Sequence, residues 1–304
     1  MGEVEDAIIL AGGLGTRMLP ASLFAPKEML PLIDTPILNH LIWEAARAGV
    51  SRVHLVVSQR KMEVLDSFME FSNGMSLETS RDDLPGESLS FGIEGLELIT
   101  HVQHIPGGVA DAISIALEGR GVGESAKING AFLVLLGDNL LIKNHVGPAE
   151  SGHLHASGAS LALVKRFEET GLPCVGTSMV SDQEVGKFGC IEFEGSRVAR
   201  IVEKPDLATA PSNYILCGRY LFPHDTAEIL ENFSLDDFGE MQSIALMEHL
   251  INNGGLESIK LDEYQLYDSG DPVSWLKSQI DHSLRRSDFG EDYIDWVRNR
   301  FLDD

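Results

Sequence analysis

Apolar residues in the first half of the chain fall into short unbroken runs separated by amphipathic stretches. Ala7 to Leu10 and Ala131 to Leu136 are fully apolar and short, as strands covered on both faces of a sheet must be. Val53 to Val57 and Leu96 to Val102 read as two further strands. Between them, Ile37 to Gly49 carries Leu38, Leu41, Ile42, Ala45 and Ala46 at helical spacing and closes on a glycine suited to a helix C-terminus. Met62 to Phe71 and Ala112 to Leu117 predict two more helices. Strands alternating with helices in this way predict βαβ units, and hence an α/β fold around a doubly wound, mostly parallel, Rossmann-like central sheet.

From Ala159 the texture changes to shorter alternating segments: Leu161 to Val164, Gly189 to Phe193, Val198 to Val202 and Ile215 to Phe222. These predict a smaller mixed or antiparallel portion covering one side of a cleft. Trp275 to Leu284 and Tyr293 to Phe301 are amphipathic, with Trp275, Leu276, Ile280 and Leu284, then Ile294, Trp296, Val297 and Phe301, as apolar contacts. They read as C-terminal helices capping their own domain, with a subunit interface as the alternative. No internal repeat or low-complexity linker interrupts the chain. It therefore reads as a single domain, residues 1–304, with a first part over 1–158, a second over 159–272 and a helical segment over 273–304.

Charge narrows the partners. With 23 Lys and Arg against 47 Asp and Glu, the formal net charge is −24, which opposes contact with nucleic acid or an anionic membrane surface. Any phosphate site must then be a local exception to the global field. Cys174, Cys190 and Cys217 are widely spaced, lack a Cys-x-x-Cys pair and sit in strand-like surroundings, so buried free thiols in a reducing compartment are expected. The short acidic stretch Met1 to Asp6 has no basic region ahead of an apolar run, and no apolar run approaches a membrane span, which predicts a soluble cytoplasmic protein. The ten histidines form no cluster with metal-ligand spacing.

Against that background the stretch Ala7 to Pro31 stands out, because it runs a buried strand straight into a glycine-rich, basic loop. Gly12, Gly13 and Gly15 remove Cβ atoms where a backbone must approach a ligand closely, and Arg17 and Lys27 bring positive charge to that bare backbone. Exposed amide N–H groups and two cations suit a triphosphate. Two better-known glycine loops do not fit. The dinucleotide fingerprint fails because Met18 stands where its last glycine belongs, and the P-loop fails because no Gly-Lys-Ser/Thr follows. Asp138, at the end of the apolar run Ala131 to Leu136, is predicted at the same sheet edge as the loop, where open α/β sheets bind ligands. A carboxylate placed there can serve a magnesium ion, which takes a few hard oxygens beside substrate phosphates.

The loop through Pro26-Lys27-Glu28-Met29-Leu30-Pro31, the Leu135-Leu136-Gly137-Asp138-Asn139 turn and Tyr267-Asp268-Ser269-Gly270-Asp271 together resemble the sugar-1-phosphate nucleotidylyltransferases. The resemblance runs through Leu284 with its motifs in the family's order. It implies Asp138 and Asp268 as magnesium ligands, and Leu10, Ala11, Gly12, Gly13, Gly15, Thr16, Arg17, Gln103 and Gly108 as the nucleotide site, with Gln103 and Gly108 at the pyrimidine edge. Glu203-Lys204-Pro205 resembles the sugar-phosphate element, and Asn139, Gly189, Glu203, Lys204 and Gly218 are implied on that side. Arg17, Lys27, Asp138 and Lys204 are implied as the catalytic set.

Within the family the markers are mixed. Arg166 to Gly171, Ala210 to Asn213 and Gly218-Arg219-Tyr220 resemble the uridylyltransferases, whereas Gly137-Asp138-Asn139 and the Gln103 segment resemble the thymidylyltransferases. The implied substrates are UTP or dTTP with a sugar 1-phosphate, glucose 1-phosphate first, in a homo-oligomer, dimer or tetramer. A catalytically idle sugar-nucleotide sensor is the alternative from outside enzymes, and the intact set of Arg17, Lys27, Asp138, Lys204 and Asp268 speaks against it.

Overall fold

The computed structural model describes residues 4–62, 93–119, 127–147, 152–232 and 243–301. Strand β1 (Asp6–Ala11) lies between β4 (Arg52–Ser58) and β6 (Phe132–Leu136), with β5 (Glu97–Gln103) outside β4, and all four run parallel. The unbroken apolar character of β1 follows from its position. Ala7, Ile9 and Ala11 enter a core shared with Leu38 and Leu41 of helix α1 (Ile37–Arg47), while Ile8 enters the opposite core with Ile113 of helix α2 (Gly108–Leu117). Complete burial of each such Ile or Leu contributes about 1.5–3 kcal/mol relative to exposure. Of the helix expected over Met62 to Phe71, only Met62 lies among the described residues.

The second half departs from expectation in two ways. Leu161 to Val164 is not a strand but part of helix α3 (Ala159–Thr170). Its buried positions, Ala159, Ser160, Leu163, Val164 and Phe167, repeat every three to four residues, and Gly171 ends it in the left-handed conformation that a C-terminal glycine favours. The remaining strands do pair in the mixed, largely antiparallel way expected, but they belong to the central sheet itself. They are β8 (Cys174–Met179), β9 (Gly189–Glu194), β10 (Arg197–Glu203), β11 (Tyr214–Phe222) and β12 (Glu257–Lys260), and they extend the same sheet in the order β5-β4-β1-β6-β11-β8-β12-β10-β9. The β6/β11, β11/β8, β12/β10 and β10/β9 pairs are antiparallel and β8/β12 is parallel, so the sheet is mixed rather than mostly parallel.

Helix α4 (Thr226–Glu231) and α5 (Ser243–Asn253) lie on the α2 face, where Leu230, Leu246, Met247 and Leu250 join the second core. Cys174, Cys190 and Cys217 are buried free thiols, and burial pushes the Cys217 thiol up to about 12. Helix α6 (Pro272–Arg285) begins at Asp271, whose carboxylate accepts the Val273 and Ser274 N–H groups at 3.0 Å each. It buries Ser278, His282 and Ser283, while of the apolar side chains expected to make its contact only Trp275 and Leu284 are half-buried. Leu276 and Ile280 are exposed, as are Trp296 and Phe301 of helix α7 (Gly290–Phe301). Among the described residues no helix is long and apolar enough to cross a membrane.

Candidate active site

Because β5, β4, β1 and β6 are parallel, their carboxyl ends reach one edge together. The register sets Leu10 beside Leu136, Ala11 beside Val57 and Ser58 beside Gln103. The Gly137 N–H donates to the Leu10 carbonyl at 3.0 Å, splicing the Asp138 turn to the end of β1. Asp138 leads into β7 (Asn139–Ile142), which pairs antiparallel with β13 (Gln265–Asp268) so that Asp268 faces Asn139. The backbone N–H and hydroxyl of Ser269 both donate to the Asp138 carbonyl, at 2.9 and 3.1 Å. The two aspartates, distant in sequence, are thereby held side by side.

Three single-turn 3₁₀ segments connect β1 to a short hairpin, β2 (Pro31–Leu32) and β3 (Thr35–Pro36). Gly15, at φ 65°, turns the chain into the first of these, Thr16–Met18, and presents Arg17 at the surface. Gly13 is exposed, and Gly12 lies so close to Gln103 that a Cβ would stand 2.7 Å from the Gln103 Oε1. Gln103 Nε2 in turn donates to the Gly108 carbonyl at 3.3 Å. The residues expected at the nucleotide, from Leu10 to Arg17 with Gln103 and Gly108, therefore converge on one edge.

Lys27 Nζ donates to Asp138 Oδ2 at 2.5 Å, with only 11% and 24% of the two side chains exposed. Burial alone would push the Asp138 carboxyl up, but the Lys27 ammonium and, more weakly, Arg17 hold it below the usual carboxylate range. Burial likewise opposes the Lys27 charge, and Asp138 and Glu28 more than restore it. Asp268 behaves in the opposite sense. Burial and the neighbouring carboxylates of Asp138 and Asp271 push it up, against the Gly270 N–H and Arg17. A cation between Asp138 and Asp268 would relieve that repulsion. Among the described residues no group of three or more His, Cys, Asp or Glu converges as a metal site, so an ion here would draw at most two carboxylates from them. That donor set fits magnesium, which is held by one or two carboxylates and completes its shell with phosphate and water oxygens.

On the other side, Gly218 lies against the Asn139 amide and Gly189 against the Glu203 carboxylate. Glu203 closes β10, and Lys204 follows with φ 45°, left-handed backbone that a non-glycine residue adopts at a cost of about 1–3 kcal/mol. Its N–H donates to the Phe188 carbonyl at 3.0 Å, and its ammonium, 64% exposed, lies 3.2 Å from Glu203 Oε1. Lys204 thus stands at the rim rather than within the Lys27–Asp138 cluster.

Two buried charge pairs are not visible as pairs in the sequence, although Glu28 and Arg219 fall within its motifs. Lys61 Nζ donates to the Ala11 carbonyl at 2.6 Å and to Glu28 Oε2 at 2.8 Å, tying the start of the glycine loop to the segment that carries Lys27. Both side chains are buried. Burial pushes Glu28 up and Lys61 down further than their mutual attraction restores. Glu28 carried a signal only as part of the Pro26–Pro31 run, and Lys61 sits in the polar stretch Gln59-Arg60-Lys61, where nothing marks a lysine as buried. The second pair, Glu44 and Arg219, lies beneath the sugar side. The Arg219 guanidinium forks onto the Glu44 carboxylate at 2.7 and 2.9 Å and also donates to the carbonyls of Asn139 at 2.9 Å and Gly218 at 3.1 Å.

A glycine loop, two adjoining aspartates and converging cations thus meet at the carboxyl edge of the sheet. Residues 6–281 match the nucleotidyl transferase family, and the chain belongs to that family. It is 28% identical over 306 residues to UTP–glucose-1-phosphate uridylyltransferase 1 of Staphylococcus saprophyticus, covering 98% of this chain and 99% of that relative. Among solved structures it is similar to the UDP-glucose pyrophosphorylase of Acinetobacter baumannii, with a TM-score of 0.78, 25% identity and coverage of 97% and 99% of the two chains. A UTP-bound UGPase of the same organism is similar with a TM-score of 0.75 at 25% identity, over 97% of this chain and 98% of the other.

Proposed function

We propose that this chain transfers the uridylyl group of UTP to glucose 1-phosphate, forming UDP-glucose and pyrophosphate. The observation that carries the reading is the gathering of Arg17, Lys27, Asp138 and Asp268 around a bare glycine loop at one sheet edge. Similarity over nearly the full length to uridylyltransferases supports the choice of substrates.

An anionic oxygen of the sugar phosphate attacks the α-phosphorus of UTP, and the bond from that phosphorus to the β-phosphate bridging oxygen breaks. The attacking oxygen is already ionised near neutral pH, so the chain need not supply a base. Its work is positioning and charge neutralisation. Leu10, Ala11, Gly12, Gly13, Gly15 and Thr16 seat the triphosphate against backbone N–H groups. Arg17 and Lys27 neutralise it and the departing pyrophosphate, and Gln103 and Gly108 meet the base. Asn139, Gly189, Glu203 and Gly218 hold the sugar, and Lys204 aligns its phosphate from the rim. Asp138 and Asp268 would hold magnesium, which supplies further neutralisation of the phosphates when bound.

Pyrophosphate release, measured over a matrix of UTP, dTTP, CTP, ATP and GTP against several sugar 1-phosphates, tests the reading. UTP with glucose 1-phosphate is expected to be the best pair, and chelation of magnesium to abolish its turnover. Turnover with purine nucleotides alone, or undiminished turnover after chelation, would contradict it. No turnover with any pair would favour the sensor.

Lys204→Met keeps most of the aliphatic stem and deletes the ammonium. A charge-assisted contact of about 1.5–3 kcal/mol corresponds to a loss of about ten- to hundredfold in kcat/KM for the sugar 1-phosphate, mostly in KM. Nucleotide affinity should change little. Steady-state kinetics with each substrate varied in turn check this, and an unchanged sugar-phosphate constant would make Lys204 a surface charge without a part in the site.

A further inference from the structure

Gln103 ends β5 with its side chain buried beside the glycine loop, and its amide can offer both a donor and an acceptor. The structure leaves only one of these available. Nε2 donates to Asp111 Oδ2 at 2.7 Å and to the Gly108 carbonyl at 3.3 Å, which uses both N–H bonds. A carboxylate and a carbonyl are acceptors only, so this orientation of the amide is dictated by its partners. Oε1 is left on the opposite side, packed over Gly12 in the loop assigned to the nucleotide.

Asp111 is placed for this by the start of α2. It lies in the first turn of the helix, where a carboxylate is favoured by the helix dipole. Gly107, just ahead of that helix, makes room for it. A Cβ at Gly107 would stand 2.6 Å from Asp111 Oδ2, although the Gly107 backbone, at φ −110° and ψ 13°, is open to other residues. The space at Gly107 is therefore filled by the carboxylate that holds Gln103.

We propose that Asp111 is a specificity-determining positioning residue: by occupying the Gln103 amide nitrogen, it obliges the amide oxygen to meet the base. The inference rests on the nucleotide site proposed above. In uracil or thymine the ring N3 carries a hydrogen and can donate to that oxygen. In cytosine the same ring position carries a lone pair, and two acceptors would face each other. Asp111 thereby excludes cytosine without touching the base, and it does not distinguish uracil from thymine.

The test is kcat/KM for UTP and for CTP at saturating glucose 1-phosphate, in the wild type and in Asp111→Ala, Asp111→Asn and Gly107→Ala. The wild type is expected to prefer UTP by about a hundredfold or more, and each variant to narrow that ratio by about tenfold or more, because the freed amide can turn its N–H toward cytosine. Asp111→Asn keeps the side-chain volume and can accept or donate, so it reports the ratio even where the alanine variant does not fold. Gly107→Ala displaces the carboxylate without deleting it and should act in the same direction. A purely structural Asp111 would lower both substrates in parallel. Unchanged ratios in the variants, or a wild type that uses CTP as well as UTP, would overturn the role of Asp111 while leaving the uridylyl transfer itself standing. A wild type that turns over neither nucleotide would overturn both.

Discussion

Asp138→Asn is expected to lower turnover by about a hundredfold or more, the scale of losing a preorganised electrostatic contact, and Asp268→Asn to do the same. The substitution is nearly isosteric, so its effect is one of charge. At Asp138 two functions fail together. The proposed ligand for magnesium becomes a neutral amide, and Lys27, only 11% exposed, loses the carboxylate that fixes its ammonium at 2.5 Å. At Asp268 the charge that faces Arg17 and the proposed magnesium is lost, while the amide oxygen can still accept the Gly270 N–H that meets Asp268 Oδ1 at 2.6 Å. The far-ultraviolet circular dichroism of both variants should match the wild type. A near-normal magnesium-dependent rate in either would remove that residue from the metal site.

Glu44→Ala should destabilise the fold by about 3–5 kcal/mol, because it strands a fully buried guanidinium without its counter-charge. Arg219 is 0% exposed and Glu44 1%, and the Ser160 hydroxyl and N–H also donate to the Glu44 carboxylate, at 2.6 and 3.2 Å. Glu44→Gln retains acceptor and shape and should cost less. The consequence reaches the sugar side, since Arg219 holds the carbonyls of Asn139 and Gly218. Denaturant unfolding gives the stability change. A loss of under about 1 kcal/mol, the scale of an exposed pair, would contradict the account of this ion pair.

The legible parts of the molecule are those in which one local pattern has one structural meaning. The apolar runs at Ala7 to Leu10 and Ala131 to Leu136 are strands β1 and β6, covered on both faces. The glycine loop, Gln103 and Asp138 follow at their carboxyl ends because parallel strands deliver their ends to one edge. Leu161 to Val164 was misleading because four residues cannot separate alternation from helical spacing. Only the longer set from Ala159 to Phe167 shows the helical period.

The antiparallel pairing of β9, β10 and β11 agrees with the mixed or antiparallel reading of their segments, but their insertion into the same sheet as the parallel strands was beyond reach for a different reason. The antiparallel placement of β11 between β6 and β8 is a tertiary choice that leaves the apolar character of Tyr214 to Phe222 unchanged. The same holds for the buried charges. Glu28, Lys61, Glu44 and Arg219 acquire their meaning from partners distant in sequence, and a lone charged residue in sequence reads by default as exposed. In α6, Trp275 and Leu284 are half-buried as their hydropathy suggests, but Leu276 and Ile280 are exposed while Ser278 and His282 are buried, so hydropathy alone places the buried face only in part.

The central claim is nucleotidyl transfer at the α-phosphorus, and it is tested most directly by a single turnover with UTP labelled at the α-phosphate, glucose 1-phosphate and magnesium. The account predicts that all transferred label appears in UDP-glucose, with one unlabelled pyrophosphate released per sugar nucleotide formed. Label recovered only in UMP or UDP, or pyrophosphate released at the same rate without the sugar phosphate, would contradict it.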